Sequence, residues 1–305
     1  MITRYRHRDV VWVDLESPTP EEVREIMEEY DIHPVVAEEL LLPTLKPKVE
    51  FYDNNFIYLI LHFPALRHTH ANDENQEVDF IIGRNFIITT RYDTIDPLHK
   101  FSKVFEVNSI LDRSGVGKHA GYVFYFMVKK LYKALEHEIE YLTDALSEAE
   151  DKIFSGRERE MVIELSHISR DLLTFKQAMM LHRDVLESLE PAGRQFFGME
   201  FSFYLKGIIG EYFRVQNAID ANFNSLSELR ETNNSLVSTK QNEVMKVLTI
   251  LAFVTFPLSL LASIFGMNTD HLPIVGLPND FWIIIGIMVA VTITFFVYFK
   301  HRNWL

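Results

Sequence analysis

No cysteine occurs in the 305 residues, which excludes disulfide frameworks, thiolate zinc sites and cysteine nucleophiles. An excess of basic charge is also lacking. Lys and Arg number 30 against 43 Asp and Glu, a net charge of −13, so a nucleic-acid partner held by phosphate neutralisation is not expected. A cation partner fits that sign. Met1 to Asp9 carries basic residues with no apolar stretch behind them, so no cleaved signal peptide is expected. Gly115-Val116-Gly117-Lys118-His119 falls short of a phosphate loop, with Asp112 in place of the leading glycine and His119 in place of Ser or Thr. Neither enzyme chemistry nor an organic cofactor is expected.

Formal charge is missing from Val247 to Thr269, 23 residues, and again from Phe281 to Phe299, 19 residues. Both runs match the roughly 20 apolar residues that carry a helix across a bilayer. Asp270, Asp280, Lys300 and Arg302 are the formal charges from Val247 onward and cancel, so the whole acidic excess lies upstream. The chain therefore reads as an acidic soluble body joined to an apolar end, with lipid as a partner. Pro257 would damage a soluble helix, but in a membrane bundle neighbouring groups satisfy the carbonyl it frees.

The link between the two runs, residues 269–280, has two acids and no Lys or Arg, whereas Lys240 and Lys246 precede the first run and Lys300 and Arg302 follow the second. The positive-inside rule predicts a multi-pass protein of the cell membrane with both termini cytoplasmic and the link outside. Trp282 at one end, and Tyr298 and Trp304 at the other, suit the two interfaces. The expected spans are about 245–267 and 281–299, within a membrane region of residues 244–305.

Residues 1–110 read as a cytosolic mixed α/β domain. Val10 to Leu15 predicts a strand, and Ser17-Pro18-Thr19-Pro20-Glu21-Glu22 supplies helix-start chemistry before Val23, Ile26 and Met27. Phe56 to Phe63, Val78 to Ile82 and Asn85 to Thr90 are rich in β-branched and aromatic residues and predict consecutive strands of one sheet. Residues 111–243 read as a bundle of long helices. Phe124, Val128, Leu131, Leu135, Ile139, Leu142 and Leu146 make one stripe at steps of three and four, and Met161, Leu165, Ile168, Leu172, Phe175 and Met179 another. Breaks are expected at Ser155-Gly156 and at Pro191-Ala192-Gly193. A third stripe passes through Leu205, Ile209, Tyr212, Ile219, Phe223 and Leu226, and neither Gly nor Pro occurs from Glu211 until Pro257. One helix from about 200 to 265 is expected, with a break near Asn233-Asn234-Ser235 as the alternative.

The first span ends in Ser263-Ile264-Phe265-Gly266-Met267-Asn268. Glycine after an apolar helical run predicts a C-cap, and the terminal carbonyls carry partial negative charge. Repeated around a symmetry axis, those carbonyls and the Asn268 amide oxygen would make an uncharged electronegative ring, able to hold a cation without locking it. Asn242, Thr249, Ala252, Thr255 or Phe256, Ser259 and Ser263 continue one polar face down the helix, which suits either tight packing or a water-filled path. Two spans cannot enclose a pore, so transport requires a homo-oligomer.

Asn242-Glu243-Val244-Met245-Lys246-Val247-Leu248-Thr249-Ile250, Phe256-Pro257-Leu258-Ser259 and Phe265-Gly266-Met267-Asn268 together resemble the first transmembrane helix of the CorA family of divalent-cation channels. Lys46-Pro47-Lys48-Val49-Glu50-Phe51-Tyr52 and the tail Tyr298 to Leu305 are similar too, so the resemblance covers nearly the whole chain. It implies a funnel-like homopentamer with an α/β cytosolic domain, a long-helix bundle and two C-terminal transmembrane helices, the first lining the pore. It places a selectivity ring at Gly266, Met267 and Asn268, and pore-lining or gate positions at Asn242, Met245, Leu248, Phe256 and Ser259. Phe265 stands where the family usually has Tyr, and Phe256 at a narrow position commonly taken by Met.

A pore of this kind, without carboxylates, suits hydrated Mg²⁺, which dehydrates reluctantly and prefers oxygen. Co²⁺ and Ni²⁺ are further candidate cargoes. The resemblance also implies a regulatory role for cytosolic Mg²⁺, bound by carboxylates between subunits. Glu136, Glu138, Glu140, Asp144, Glu148, Glu150 and Asp151 make the helical body acidic, either as a solvated face or as part of that sensor, whose residues are not identified. His68 and His70, beside Asp73 and Glu74, suit a polar hairpin tip, or a zinc site as in the family's zinc-transporting branch. Asp270 and Asp280 are candidates for concentrating cations outside, and His271 is expected to be a solvated loop residue. A membrane-anchored helical scaffold or sensor without a pore is the alternative from a different class.

Overall fold

Runs of β-branched and aromatic residues account for the strands β1 (Ile2–His7), β2 (Val10–Glu16), β3 (Lys48–Tyr52), β4 (Phe56–Phe63), β5 (Gln76–Ile82) and β6 (Phe86–Arg91) in the computed structural model. The structure describes residues 1–44, 46–52, 55–64, 76–92, 95–106, 119–268, 273–276, 278–302 and 304. The strands form one sheet in the order β1-β2-β6-β5-β4-β3. As expected, β4, β5 and β6 are consecutive strands of one sheet, and they pair antiparallel. β2 instead lies parallel to β6, with Val11 opposite Phe86 and Leu15 opposite Thr90. Side chains fasten that seam: Trp12 Nε1 donates to Thr89 Oγ1 at 2.9 Å, Thr89 Oγ1 donates to Asp14 Oδ1 at 2.7 Å, and the Arg91 guanidinium lies 3.1 Å from Asp14.

Both faces of the sheet are covered, which is why β4 and β5 read as almost continuous apolar runs. Val13, Leu15, Tyr58, Ile60, Ile81 and Ile88 pack on one face against Val23, Ile26, Val36, Ala37 and Leu40. The last five belong to, or immediately follow, α1 (Pro20–Tyr30) and α2 (Pro34–Glu39). Thr19 caps α1 through a reciprocal bond with Glu22, the helix start that its sequence promised. Against the other face lie α3 (Asp96–Glu106), whose Phe101 meets Trp12 edge-on at 5.7 Å, and α4 (Gly121–Phe154), whose Phe124 meets Phe80 edge-on at 5.3 Å. The edge strand β1 was not legible as a strand: Arg4 and Arg6 hide its period, and Arg4 instead reaches Glu25 and Glu29 of α1 at 2.7 and 2.9 Å. Charge on an edge strand discourages pairing with other chains.

After α4 come α5 (Glu158–Met179), α6 (His182–Phe197), a short 3₁₀ turn (Met199–Phe201), α7 (Ser202–Phe265) and α8 (Asp280–His301). The first two apolar stripes are buried as expected. The third is shifted: the buried face of α7 runs Leu205, Ile208, Tyr212, Val215, Ile219, Asn222, Leu226 and Leu229, while Ile209 and Phe223 lie half-buried on its flank. Asn222 obscures the pattern because it is polar yet buried, paired with Thr143 of α4 through two bonds of 3.0 and 3.1 Å.

Ser155-Gly156 does end α4, but Pro191-Ala192-Gly193 lies inside α6. Gly193 serves contact rather than a break, since a Cβ there would come within 2.6 Å of Leu205 Cδ1. The chain turns instead at Met180-Leu181 and at Gly198, whose φ of 101° belongs to the left-handed region. α7 continues without interruption past Asn233-Asn234-Ser235. Two compact units emerge, Met1–Arg230 and Glu231–Leu305, with their boundary inside α7.

In the first unit, His182 of α6 ties the helices to the sheet. Its Nε2 lies 2.8 Å from the His62 carbonyl and must donate there, so Nδ1 accepts from the Tyr132 hydroxyl at 2.8 Å. Burial without a countercharge pushes its pKa down to about 4 and fixes the ring as neutral. His62 is different: burial pulls its pKa down, but the Glu77 carboxylate 3.0 Å away outweighs that and leaves it raised.

Candidate functional site

In the second unit the helical parts expose large apolar side chains along their length, among them Leu248, Leu251, Phe256 and Leu260 of α7 and Phe281, Val289, Ile293 and Phe296 of α8. Such a surface is untenable in water. Both helices contain stretches long and apolar enough to cross a bilayer, and neither stretch is buried inside the chain. A soluble core hairpin is thereby set aside, because a core would cover these residues. Apart from the Phe253 carbonyl, which Pro257 leaves without its helical donor, the helical hydrogen bonds satisfy the backbone internally, as hydrocarbon requires.

The hydroxyls of α7 have a defined direction. Thr249 Oγ1 donates to the Met245 carbonyl at 2.7 Å, and Thr255 Oγ1 donates to the Leu251 carbonyl. With their protons committed to their own helix, these groups turn oxygen lone pairs outward. At these two threonines the polar face read from the sequence presents acceptor oxygens. Asn242, Met245, Leu248, Phe256 and Ser259 are all exposed along that same side of α7. Leu248 is 53% exposed and Phe256 73%, bulky apolar positions between polar ones.

Beyond Phe265 the helix closes on itself: the Gly266 amide donates to the Ala262 carbonyl at 2.9 Å and the Met267 amide to the Ile264 carbonyl at 3.3 Å. Gly266 does not take the left-handed conformation of a glycine C-cap. A Cβ there would sit 3.0 Å from the Ala262 carbonyl oxygen, a tight contact with the last turn of the helix. Met267 and Asn268 follow, both exposed, immediately after the carbonyl-rich end of the helix. Asp280 is engaged structurally: its carboxylate accepts the Gly276 amide at 3.1 Å and the Phe281 amide at 2.7 Å, serving the N-terminus of α8. Asp270 and His271 lie outside the described residues, as do His68, His70, Asp73 and Glu74.

Among the described residues, no three His, Asp or Glu side chains of one chain converge as a metal site. Several acids of α4 have basic neighbours: Glu136 meets Arg214 at 3.4 Å, Glu140 meets His137 at 3.2 Å, and Glu148 meets Lys152 at 2.6 Å. Lys48, in the motif Lys46 to Tyr52, bridges Glu39 and Glu50 at 2.7 and 3.1 Å and lies over the Tyr58 ring, which is a structural role at the sheet edge.

Residues 7–301 match the model of the family described as CorA-like Mg2+ transporter protein. The cobalt/magnesium transport protein CorA of Thermotoga maritima is 26% identical over 283 residues, covering 93% of this chain and 80% of that protein. The complete structure of the CorA magnesium transporter of Methanocaldococcus jannaschii superposes with a TM-score of 0.83 at 22% identity, over 99% of this chain and 93% of that one. The cytoplasmic domain of ZntB from Vibrio parahaemolyticus gives a TM-score of 0.63 at 11% identity, over 78% of this chain and 91% of that domain. The expected architecture of an α/β domain, long helices and two C-terminal apolar helices is thus that of a known fold.

Proposed function

The chain belongs to the CorA family of Mg²⁺ transporters, and on that premise we propose that it conducts Mg²⁺ into the cell as a homopentamer, through a pore lined by α7 within a membrane region of residues 244–305. The observation that carries this reading is the exposed side of α7, where the Thr249 and Thr255 hydroxyls turn acceptors outward and which ends in Gly266, Met267 and Asn268. Five such ends supply amide and carbonyl oxygens to a hydrated ion, which keeps its water and so leaves readily. Leu248 and Phe256 serve as apolar constrictions that close by excluding water. Both termini face the cytoplasm. A potential of 100 mV contributes about 2.3 kcal/mol per elementary charge and roughly twice that for a divalent ion, so influx needs no ATP. Co²⁺ and Ni²⁺ are secondary cargoes. Cytosolic Mg²⁺ closes the channel by binding between acidic faces of neighbouring copies.

Uptake into proteoliposomes under an inside-negative potential, with Co²⁺, Ni²⁺ and Zn²⁺ competing, tests the proposal. Mg²⁺ uptake that grows with the potential is expected. Absence of any divalent flux would favour a poreless membrane scaffold, and uptake of Zn²⁺ in preference to Mg²⁺ would make the chain a zinc transporter.

A further inference from the structure

The far end of α8 holds a cavity of about 460 Å³ lined by Phe253, Phe295, Tyr298, Phe299, Arg302 and Trp304. That volume falls in the ~300–1,000 Å³ range of small-molecule sites. Its construction is two-sided. Phe299 is buried to 5% exposure, stacked on Trp304 at 5.8 Å and on Phe295 at 6.4 Å, and it meets Phe253 of α7 edge-on at 6.3 Å. Backbone bonds fix the polar end: the Arg302 amide donates to the Tyr298 carbonyl at 3.1 Å and the Trp304 amide to the Phe299 carbonyl at 3.0 Å. Among the described residues the Arg302 guanidinium has no ion pair, so the aromatic wall ends in a positively charged group.

Aromatic rings with polar tips settle where a bilayer meets water, and basic groups between membrane helices recognise anionic head groups. An aqueous anion would gain nothing from Phe253, Phe295 and Phe299, and a zwitterionic lipid would bring a quaternary ammonium beside its phosphate and so leave the net charge of Arg302 unbalanced. We propose that this cradle holds one anionic phospholipid, its phosphate on the Arg302 guanidinium and its upper acyl chain against the three phenylalanines. A planar guanidinium forks onto two phosphate oxygens, which a lysine cannot reproduce. The lipid would bridge α7 and α8 at the membrane edge. The inference requires only that the two helices sit in a bilayer, so its failure would leave the conduction reading untouched.

Quenching of Trp304 tests it in the full-length protein. The Trp282→Phe variant is reconstituted in phosphatidylcholine vesicles containing a small fraction of either dibrominated phosphatidylglycerol or dibrominated phosphatidylcholine, because bromine quenches indole only at contact. Buried Trp12, in the sheet, stays out of reach. The anionic lipid should occupy the site about five-fold more than the neutral one, the equivalent of ~1 kcal/mol from one basic residue at the membrane surface. Arg302→Gln should remove that preference and Lys300→Gln should keep it. Equal quenching by the two lipids would overturn the proposal, whether the cradle is empty or filled by a neighbouring copy. Equal loss in both variants would reduce the effect to diffuse surface charge and also overturn it.

Discussion

Single residues carry two distinct expectations. Asn268 offers a neutral oxygen where a hydrated cation first meets the proposed pore, so Asn268→Ala should abolish Mg²⁺ influx while leaving the oligomer intact on size-exclusion chromatography. Influx near the unmodified level would remove Asn268 from the ring. His182 makes the other case. Its pKa lies near 4 in the fold and about 6.5 in the unfolded chain, so the unfolded state takes up a proton first as pH falls. The stability that depends on its neutral ring is complete above pH 6.5 and lost progressively between 6.5 and 4. Between pH 7 and 4.5 the unmodified protein should lose roughly 2–3 kcal/mol more than His182→Gln. Unfolding followed by circular dichroism in detergent measures this, and a pH-independent gap between the two proteins would contradict the neutral lock. Comparing the two proteins also cancels Asp79, which burial and its Glu77 neighbour hold protonated well above the usual carboxylate range and which tilts the profile the other way.

At the scale of elements, α7 decides most of the behaviour. Its Leu248 and Phe256 side chains stand exposed between groups that offer oxygen, so Leu248→Ser and Phe256→Ser should each leak Mg²⁺ at cytosolic concentrations that shut the unmodified channel. If both stay shut in a flux assay, the gate lies elsewhere. The strand β4 and the cap of α1 were legible in the sequence because their signals are local: a run of buried β-branched and aromatic residues, and a Thr three positions before a Glu. What escaped was set by partners far along the chain. β1 is a strand because β2 pairs with it and α1 neutralises Arg4, Asn222 is a core residue because Thr143 satisfies it, and Gly193 continues a helix because Leu205 needs its space. The candidate site divides the same way. Its polar face and the Asn268 end of the helix could be read from the residues, and the gate positions came from resemblance. The direction of the Thr249 and Thr255 protons is a property of the folded helix, outside the reach of residue order.

For the whole molecule, the acidic excess lies ahead of the membrane helices, and within one chain the described residues assemble no metal site. The proposed Mg²⁺ sensor is expected between copies, where carboxylates facing one another would repel until a divalent ion joins them. Limited proteolysis of the detergent-solubilised protein should show protection rising with free Mg²⁺ by mass action. Equal protection from a monovalent salt, which screens without coordinating, would leave the acids as a solvated face. The parallel seam between β2 and β6 bears on how the protein reaches its membrane at all. β2 cannot find its neighbour until Arg91 has been synthesised, yet the sheet and the helices to Arg230 are all made before the apolar stretch that begins at Val247. At roughly 5–20 residues per second, the ribosome gives the seam seconds to close before the first span emerges, and mixed α/β domains of this kind fold within milliseconds to seconds. A closed sheet cannot be threaded through a translocation channel. Folding on this timescale would favour the cytoplasmic placement proposed for the amino-terminal unit, with the last two helices left to insert.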